Sequence, residues 1–124
     1  MAYEVPGFQD GVEVAAVDLD TKQFTAVTLT ATGYAPVTNA TTRVDGILQN
    51  KPKAGEACAV MKSGISKLVA GANFAKGASL MCDTAGRGIL GATAGNIIWA
   101  VAREAAAAPN VIVSVEIGFL QRPL

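Results

Sequence analysis

The last third of the chain holds the feature that most restricts its fold. In the stretch VIVSVEIGF, the residues Val111, Val113, Val115, Ile117 and Phe119 alternate with Ile112, Ser114, Glu116 and Gly118. A period of two places the first set on one face of an extended strand and the more polar set on the other, which no helix can do. EACAVMK repeats the pattern more weakly, with Cys58 and Val60 opposite Ala57, Ala59 and Met61. GVEVAAVDLD and QFTAVTLT are β-branched runs separated by Asp20-Thr21-Lys22, which reads as a hairpin. ISKLVAG and ASLMCD read as short strands on either side of a loop containing Gly71, Asn73 and Gly77. Thirteen glycines and five prolines punctuate the chain, and turn signals recur at the spacing of a barrel or sandwich, about eight to twelve residues, not that of βαβ units.

One segment competes. IIWAVAREAAAA, Ile97 to Ala108, has the Ala, Arg and Glu content of a helix. It also has an internal counterpart, because Val44 to Gly64 can be laid on Ile97 to Gly118 with one residue inserted. In each copy a short apolar strand leads to a charged or amide pair, an Ala/Pro turn, and a strand ending in Gly. The match predicts two related β-hairpins packed together. Trp99 to Arg103 is therefore read as strand, with a short helical turn allowed over Glu104 to Ala108. The expected fold is mainly β, a small β-barrel or β-tulip-like single domain with short helical turns. Residues 1–10 form an N-terminal arm, 11–120 the β domain and 121–124 a C-terminal tail.

Half the residues are apolar (51%) but only 6% are aromatic, so the core must be built from Val, Ile, Leu and many Ala. Ten basic and ten acidic residues cancel, which argues against nucleic acid as a partner, since neutralising phosphates takes a surplus of Lys and Arg. The charges are segregated, however. Glu4, Asp10, Glu13, Asp18 and Asp20 all precede Lys22, whereas the stretch from Arg43 to Lys76 carries only Asp45 and Glu56 as acids. Two solvated faces, or head-to-tail complementarity between subunits, would each account for this. No basic region followed by an apolar stretch marks the N-terminus as a secretion signal, so Cys58 and Cys82 are expected as buried thiols. The Asn39-Ala40-Thr41 sequon then has no use, and no apolar run reaches the ~18–20 residues of a membrane span. Synthesis in a cytoplasm is expected.

The chemical inventory is thin. The chain has no histidine, which removes the commonest general base, Ser-His-Asp and Cys-His catalysis, and most zinc and iron sites. Ser63, Ser66, Ser79 and Ser114 lack a nucleophile-elbow context. Asp18 and Asp20 could share a strand face, but beside a turn they are better read as local hydrogen-bond acceptors. GRGILG, Gly86 to Gly91, matches the dinucleotide-binding spacing GxGxxG with Glu104 downstream. That motif needs a strand running straight into the first Gly and a helix starting at its end. Here Asp83-Thr84-Ala85 precedes it and Thr93-Ala94-Gly95-Asn96 follows, so a glycine-rich β-turn is expected. No catalytic, cofactor-binding or metal-binding residue is assigned. Candidate contacts are instead Tyr3, Val5, Pro6 and Phe8, an apolar arm that packs on its own barrel or lies in a groove on a partner, with Leu120 and Pro123-Leu124 as a similar tail.

The ordered set of turns resembles the phage capsid cement, or head decoration, proteins. Gly46, Pro52, Ala54-Gly55, Val60 and Gly64 supply the first element of the pattern. Gly77-Ala78-Ser79-Leu80, Asp83 and Gly86 supply the second, and Ala100 to Ala105 with Val111 to Gly118 the third. The likeness covers roughly residues 10 to 118. It departs at Ala78-Ser79, where an acid often follows the Gly, and at Pro109-Asn110, where Gly is usual. The resemblance implies a structural, non-enzymatic subunit on the outer surface of the phage head. It would need no cofactor, nucleic acid or membrane, and would bridge major capsid proteins to stabilise the expanded shell. It would associate with itself, as a homotrimer or alternatively a dimer. The competing reading is a small-ligand or carbohydrate-binding β-barrel module, disfavoured because one Trp and two Tyr give few rings for stacking.

Overall fold

The computed structural model describes residues 2–91 and 95–123 and is all-β. Among these residues, eleven strands form two antiparallel sheets. The first runs in the order β1 (Val5–Pro6), β7 (Gly64–Val69), β11 (Ile112–Pro123), β10 (Ile97–Ala102), β8 (Ser79–Cys82) and β9 (Gly88–Leu90). The second runs β2 (Gln9–Asp10), β6 (Val60–Met61), β5 (Gly46–Leu48), β3 (Ala26–Thr30) and β4 (Gly33–Pro36). Between them lies a core to which the second sheet contributes Ala26, Ile47 and Met61 and the first Leu68, Leu80, Ala100, Val115 and Ile117. Small alanines and the fully buried Leu68 and Leu80 let the layers approach closely; each buried Leu or Val contributes about 1.5–3 kcal/mol.

β11 follows its alternation. Val113, Val115 and Ile117 are buried, while Ile112 and Glu116 face out. Ser114 breaks the pattern, being fully buried on the outer face, because the N-terminal segment lies over it. The strand runs on to Pro123, so that residues 121–123, expected as a tail, continue the pairing with Ile97 and Ile98 after an irregularity. The side chains of Phe119, Leu120 and Pro123, and the whole of Leu124, lie outside the described residues. The two hairpins read from the internal repeat are present as β5–β6 and β10–β11 and share the central core. Their registers differ: Ile47 pairs with Met61, but Ala100 pairs with Ile117, two residues beyond the equivalent position. An even offset keeps the same side chains inward. The helical turn allowed over Glu104 to Ala108 does not form. Ala106 and Phe74 instead exchange both backbone hydrogen bonds, which holds that stretch extended.

The segment before β3 departs most from expectation. GVEVAAVDLD is not a regular strand, and Asp20-Thr21-Lys22 does not close a hairpin. Its backbone groups are shared between two neighbours. Ala15 N donates to Glu56 O and Ala16 N to Tyr34 O, while Glu13 O and Val14 O accept from Cys58 N and Tyr34 N. It therefore joins the segment leading into β6 to β4, the far edge of the same sheet, through isolated bridges at Val14–Ala57 and Ala15–Tyr34. The chain then winds through successive turns, with Lys22 N donating to Leu19 O and Thr25 N to Lys22 O. The hairpin in this region is β3–β4, which turns at Ala31-Thr32. Ala15 and Leu19 point inward to a second core with Val27, Tyr34, Leu48, Cys58 and Val60, around which the sheet curls. Isolated bridges, not a continuous ladder, bring the sheets round on themselves; Ala70–Gly88 does the same between β7 and β9.

Candidate interaction surface

The N-terminal residues form one edge of both sheets. Val5 pairs with Ile65, Pro6 with Gly64, Gln9 with Met61 and Asp10 with Val60, all antiparallel and in one unbroken register. β1 and β2 are thus two halves of one strand, laid along β6 and β7 where the chain passes from the second sheet to the first. Gly7 sits at the crossing. A Cβ there would meet Ser63 Oγ at 2.5 Å and Ser63 O at 2.7 Å, so only glycine fits without displacing backbone. Three buried side chains hold the segment. Ser63 Oγ accepts from Phe8 N at 2.8 Å. Ser114 Oγ accepts from Tyr3 N and donates to Tyr3 O. Tyr34 Oη donates to Asp10 Oδ2 at 2.8 Å.

The backbone of this segment is tied down while its apolar side chains point away. Val5 is 53% exposed, Phe8 63% and Val12 85%. Tyr3, Val14 and Val17 are also exposed, so six of the nine exposed large apolar side chains among the described residues fall between residues 3 and 17. Apolar side chains scattered singly are ordinary on a protein surface, so their concentration in this one segment makes it the candidate interaction surface. Tyr3, Val5 and Phe8 were legible as candidates from the sequence; the Pro6 side chain lies outside the described residues. Val12, Val14 and Val17 were not, because the run containing them reads as an ordinary strand with one buried face.

The charge segregation is partly answered within the chain. Asp20 pairs with Lys53 Nζ at 3.6 Å, and Leu19 N donates to Pro52 O, so the acid-rich segment runs beside the base-rich one. Asp10 is held below the usual carboxylate range by a hydrogen bond from Val12 N, then by Tyr34 and by the nearby Lys62 charge. Asp18 Oδ1 accepts from Asp20 N, the local turn bond that Asp favours.

GRGILG leaves the turn at Gly86 and then supplies β9 itself, Gly88–Leu90, and is followed by no helix among the described residues. Asp83 organises it: Oδ1 accepts from Ala85 N and Arg87 N, and Oδ2 from Arg87 Nε at 2.8 Å. Arg87 also reaches Asn110 Oδ1 at 2.9 Å, tying this turn to the one before β11. Gly86 has φ +76°, and a Cβ on Gly88 would lie 2.6 Å from Leu68, so both glycines serve conformation and packing. The approach that a dinucleotide would need is filled by the protein itself. Cys58 and Cys82 are buried free thiols, and burial pushes the Cys82 thiol up to about 12, with the Asp83 charge adding to it. No group of three or more Cys, Asp or Glu among the described residues could hold a metal ion.

The described residues thus form a small all-β module with exposed apolar side chains concentrated in its N-terminal segment. The chain belongs to the phage cement protein family, whose family model matches residues 9–117. The family is one of structural proteins of the virion capsid. The match begins at Gln9 and so leaves out Tyr3, Val5, Pro6 and Phe8. No curated protein matches the chain.

Proposed function

We propose that this chain is a non-enzymatic cement subunit that binds the outer surface of the expanded phage head and bridges adjacent major capsid proteins. The family match over residues 9–117 carries the reading. The exposed strip from Tyr3 to Val17 supplies a surface suited to it. Tyr3, Val5, Pro6 and Phe8 are its contact residues with the shell or with a neighbouring subunit, joined by Val12, Val14 and Val17. A backbone pinned at both sheets loses little further entropy on docking, so most of the apolar area that it buries contributes to affinity. Many weak contacts repeated over a shell add up through multivalency, which suits a subunit of zero formal net charge. The subunit acts as a homotrimer, at positions where three capsid proteins meet, and needs no cofactor, nucleic acid or membrane.

Sedimentation with expanded heads stripped of decoration tests this. Purified protein should pellet with the heads and saturate at a fixed ratio to the major capsid protein, and Phe8→Ser with Val12→Ser should lower the affinity at least tenfold while the fold is kept. Heads that pellet without it at every protein concentration would refute the proposal.

A further inference from the structure

The groove that holds the N-terminal segment is built around one occupant. Ser63 and Ser114, two of the four buried polar side chains among the described residues, spend hydrogen bonds on its backbone. With the groove empty, those hydroxyls would be left to solvent and one edge of each sheet would be bare. The groove is also selective. Gly64 has φ +99°, and a Cβ on it would lie 2.5 Å from Gly7 N and Val5 O; a Cβ on Gly7 would strike Ser63. Two backbones this close admit a strand with glycine at that one position, and Val5-Pro6-Gly7-Phe8 is such a strand.

The segment is joined to the rest of the chain through an irregular stretch, and its one side-chain tie to the second core is the Tyr34–Asp10 hydrogen bond, which an identical segment would restore. Between Asp10, paired with Val60, and Val14, bridged to Ala57, the register slips by one residue. The slip falls at Gly11-Val12-Glu13, where a Cβ on Gly11 would meet nothing within 4 Å and Val12 is the most exposed large apolar residue among those described. Beyond it, the buried Ala15 anchors the chain.

We infer that the groove along Val60 to Ile65 is a strand-acceptor site for the Tyr3–Asp10 segment of a second copy of this chain as well as for its own. The bonds and contacts would be identical in the two arrangements. Only the tether distinguishes them, and a short flexible tether gives an effective concentration of about a millimolar. Copies packed side by side reach that concentration, so exchange locks neighbours together with no new surface. This is independent of capsid binding: either can fail while the other stands.

Single cysteines on separate full-length chains test it. Val5 and Ile65 are direct antiparallel partners, a geometry that a disulfide can span. A tagged Val5→Cys chain is incubated with an untagged Ile65→Cys chain at concentrations up to millimolar and then oxidised. The mixed disulfide should rise with concentration and exceed at least tenfold that formed with a Thr32→Cys chain, whose cysteine is exposed at the β3–β4 turn. A chain carrying both Val5→Cys and Ile65→Cys should close its bond internally when dilute. A mixed product no greater than the control overturns the inference, and so does a double variant that fails to close, since the segment would then not occupy the groove.

Discussion

The hydroxyl of Tyr34 donates a 2.8 Å hydrogen bond to the carboxylate of Asp10, although the two residues stand on the opposite edge strands of one sheet. Laid flat, those edges would be four interstrand spacings apart, about 19 Å. The sheet curls instead around the second core, and a fully buried phenol reaches across to the N-terminal segment. Tyr34→Phe should therefore cost about 1–2 kcal/mol, the range for one hydrogen bond to a partly exposed charged acceptor, as read by urea denaturation. It should also speed hydrogen exchange at Gln9 and Asp10 more than in β11.

The same pair sets the behaviour at extremes of pH. The folded Asp10 carboxyl titrates below its ordinary 3.8, so its contribution is present above that value and fades as pH falls through the folded one. Tyr34, raised mainly by burial and then by Asp10, acts in the opposite sense: its contribution is full below 10 and declines above it. Cys82 behaves likewise from 9 toward about 12. Denaturation midpoints should be flat between about pH 5 and 8 and fall on both sides. In Asp10→Asn the acid limb should be shallower.

Gly64→Ala should release the N-terminal edge. The substitution places a methyl group against backbone atoms at a positive φ, where neither neighbour can yield, and overpacking of this kind costs about 1–3 kcal/mol. Proteolysis near residues 5–10 should become rapid, whereas Gly55→Ala, equally strained in φ but open in space, should leave the edge protected.

The turn before β9 rests on Asp83. Asp83→Ala leaves two backbone N–H groups and Arg87 Nε without their acceptor, which should cost about 2–3 kcal/mol. Asp83→Asn should recover part of it, because the amide oxygen still accepts. Equilibrium unfolding of the three chains checks the order.

Cys58 and Cys82 should resist thiol reagents at pH 7 until the chain unfolds, since both are buried and burial raises both thiols. Labelling kinetics followed by mass spectrometry should give the same rate for both, set by global opening. Fast labelling of either would show that its core opens locally.

These features differ in how far the sequence disclosed them. The alternation of Val113, Val115 and Ile117 was legible from its period, whereas the strand read over Trp99–Arg103, found at Ile97–Ala102, was legible only from the repeat, against a helix-like composition. The GRGILG turn was legible because its flanks lack a strand and helix in the right places. Residues 11–20 misled because β-branched composition says nothing about where backbone hydrogen bonds go; here they go alternately to Tyr34 and to the 56–58 segment, and Val12 and Val14 are left outside. The pairing of Val5–Pro6 and Gln9–Asp10 was hidden by brevity, since two-residue strands carry no period. Candidate contacts Tyr3, Val5 and Phe8 could be named from their chemistry, but not the groove beneath them: Ser63 and Ser114 carry no sequence pattern, and Gly64 stood out only as the end of a repeat.

Electron cryo-microscopy of expanded heads reconstituted with this chain tests the cement role most directly. Added density should fit the two-sheet fold on the outer surface between major capsid proteins, with Val5, Phe8 and Val12 buried at a contact with the shell or a neighbouring subunit. Heads carrying no added density, or subunits seated with that strip entirely in solvent, would contradict it.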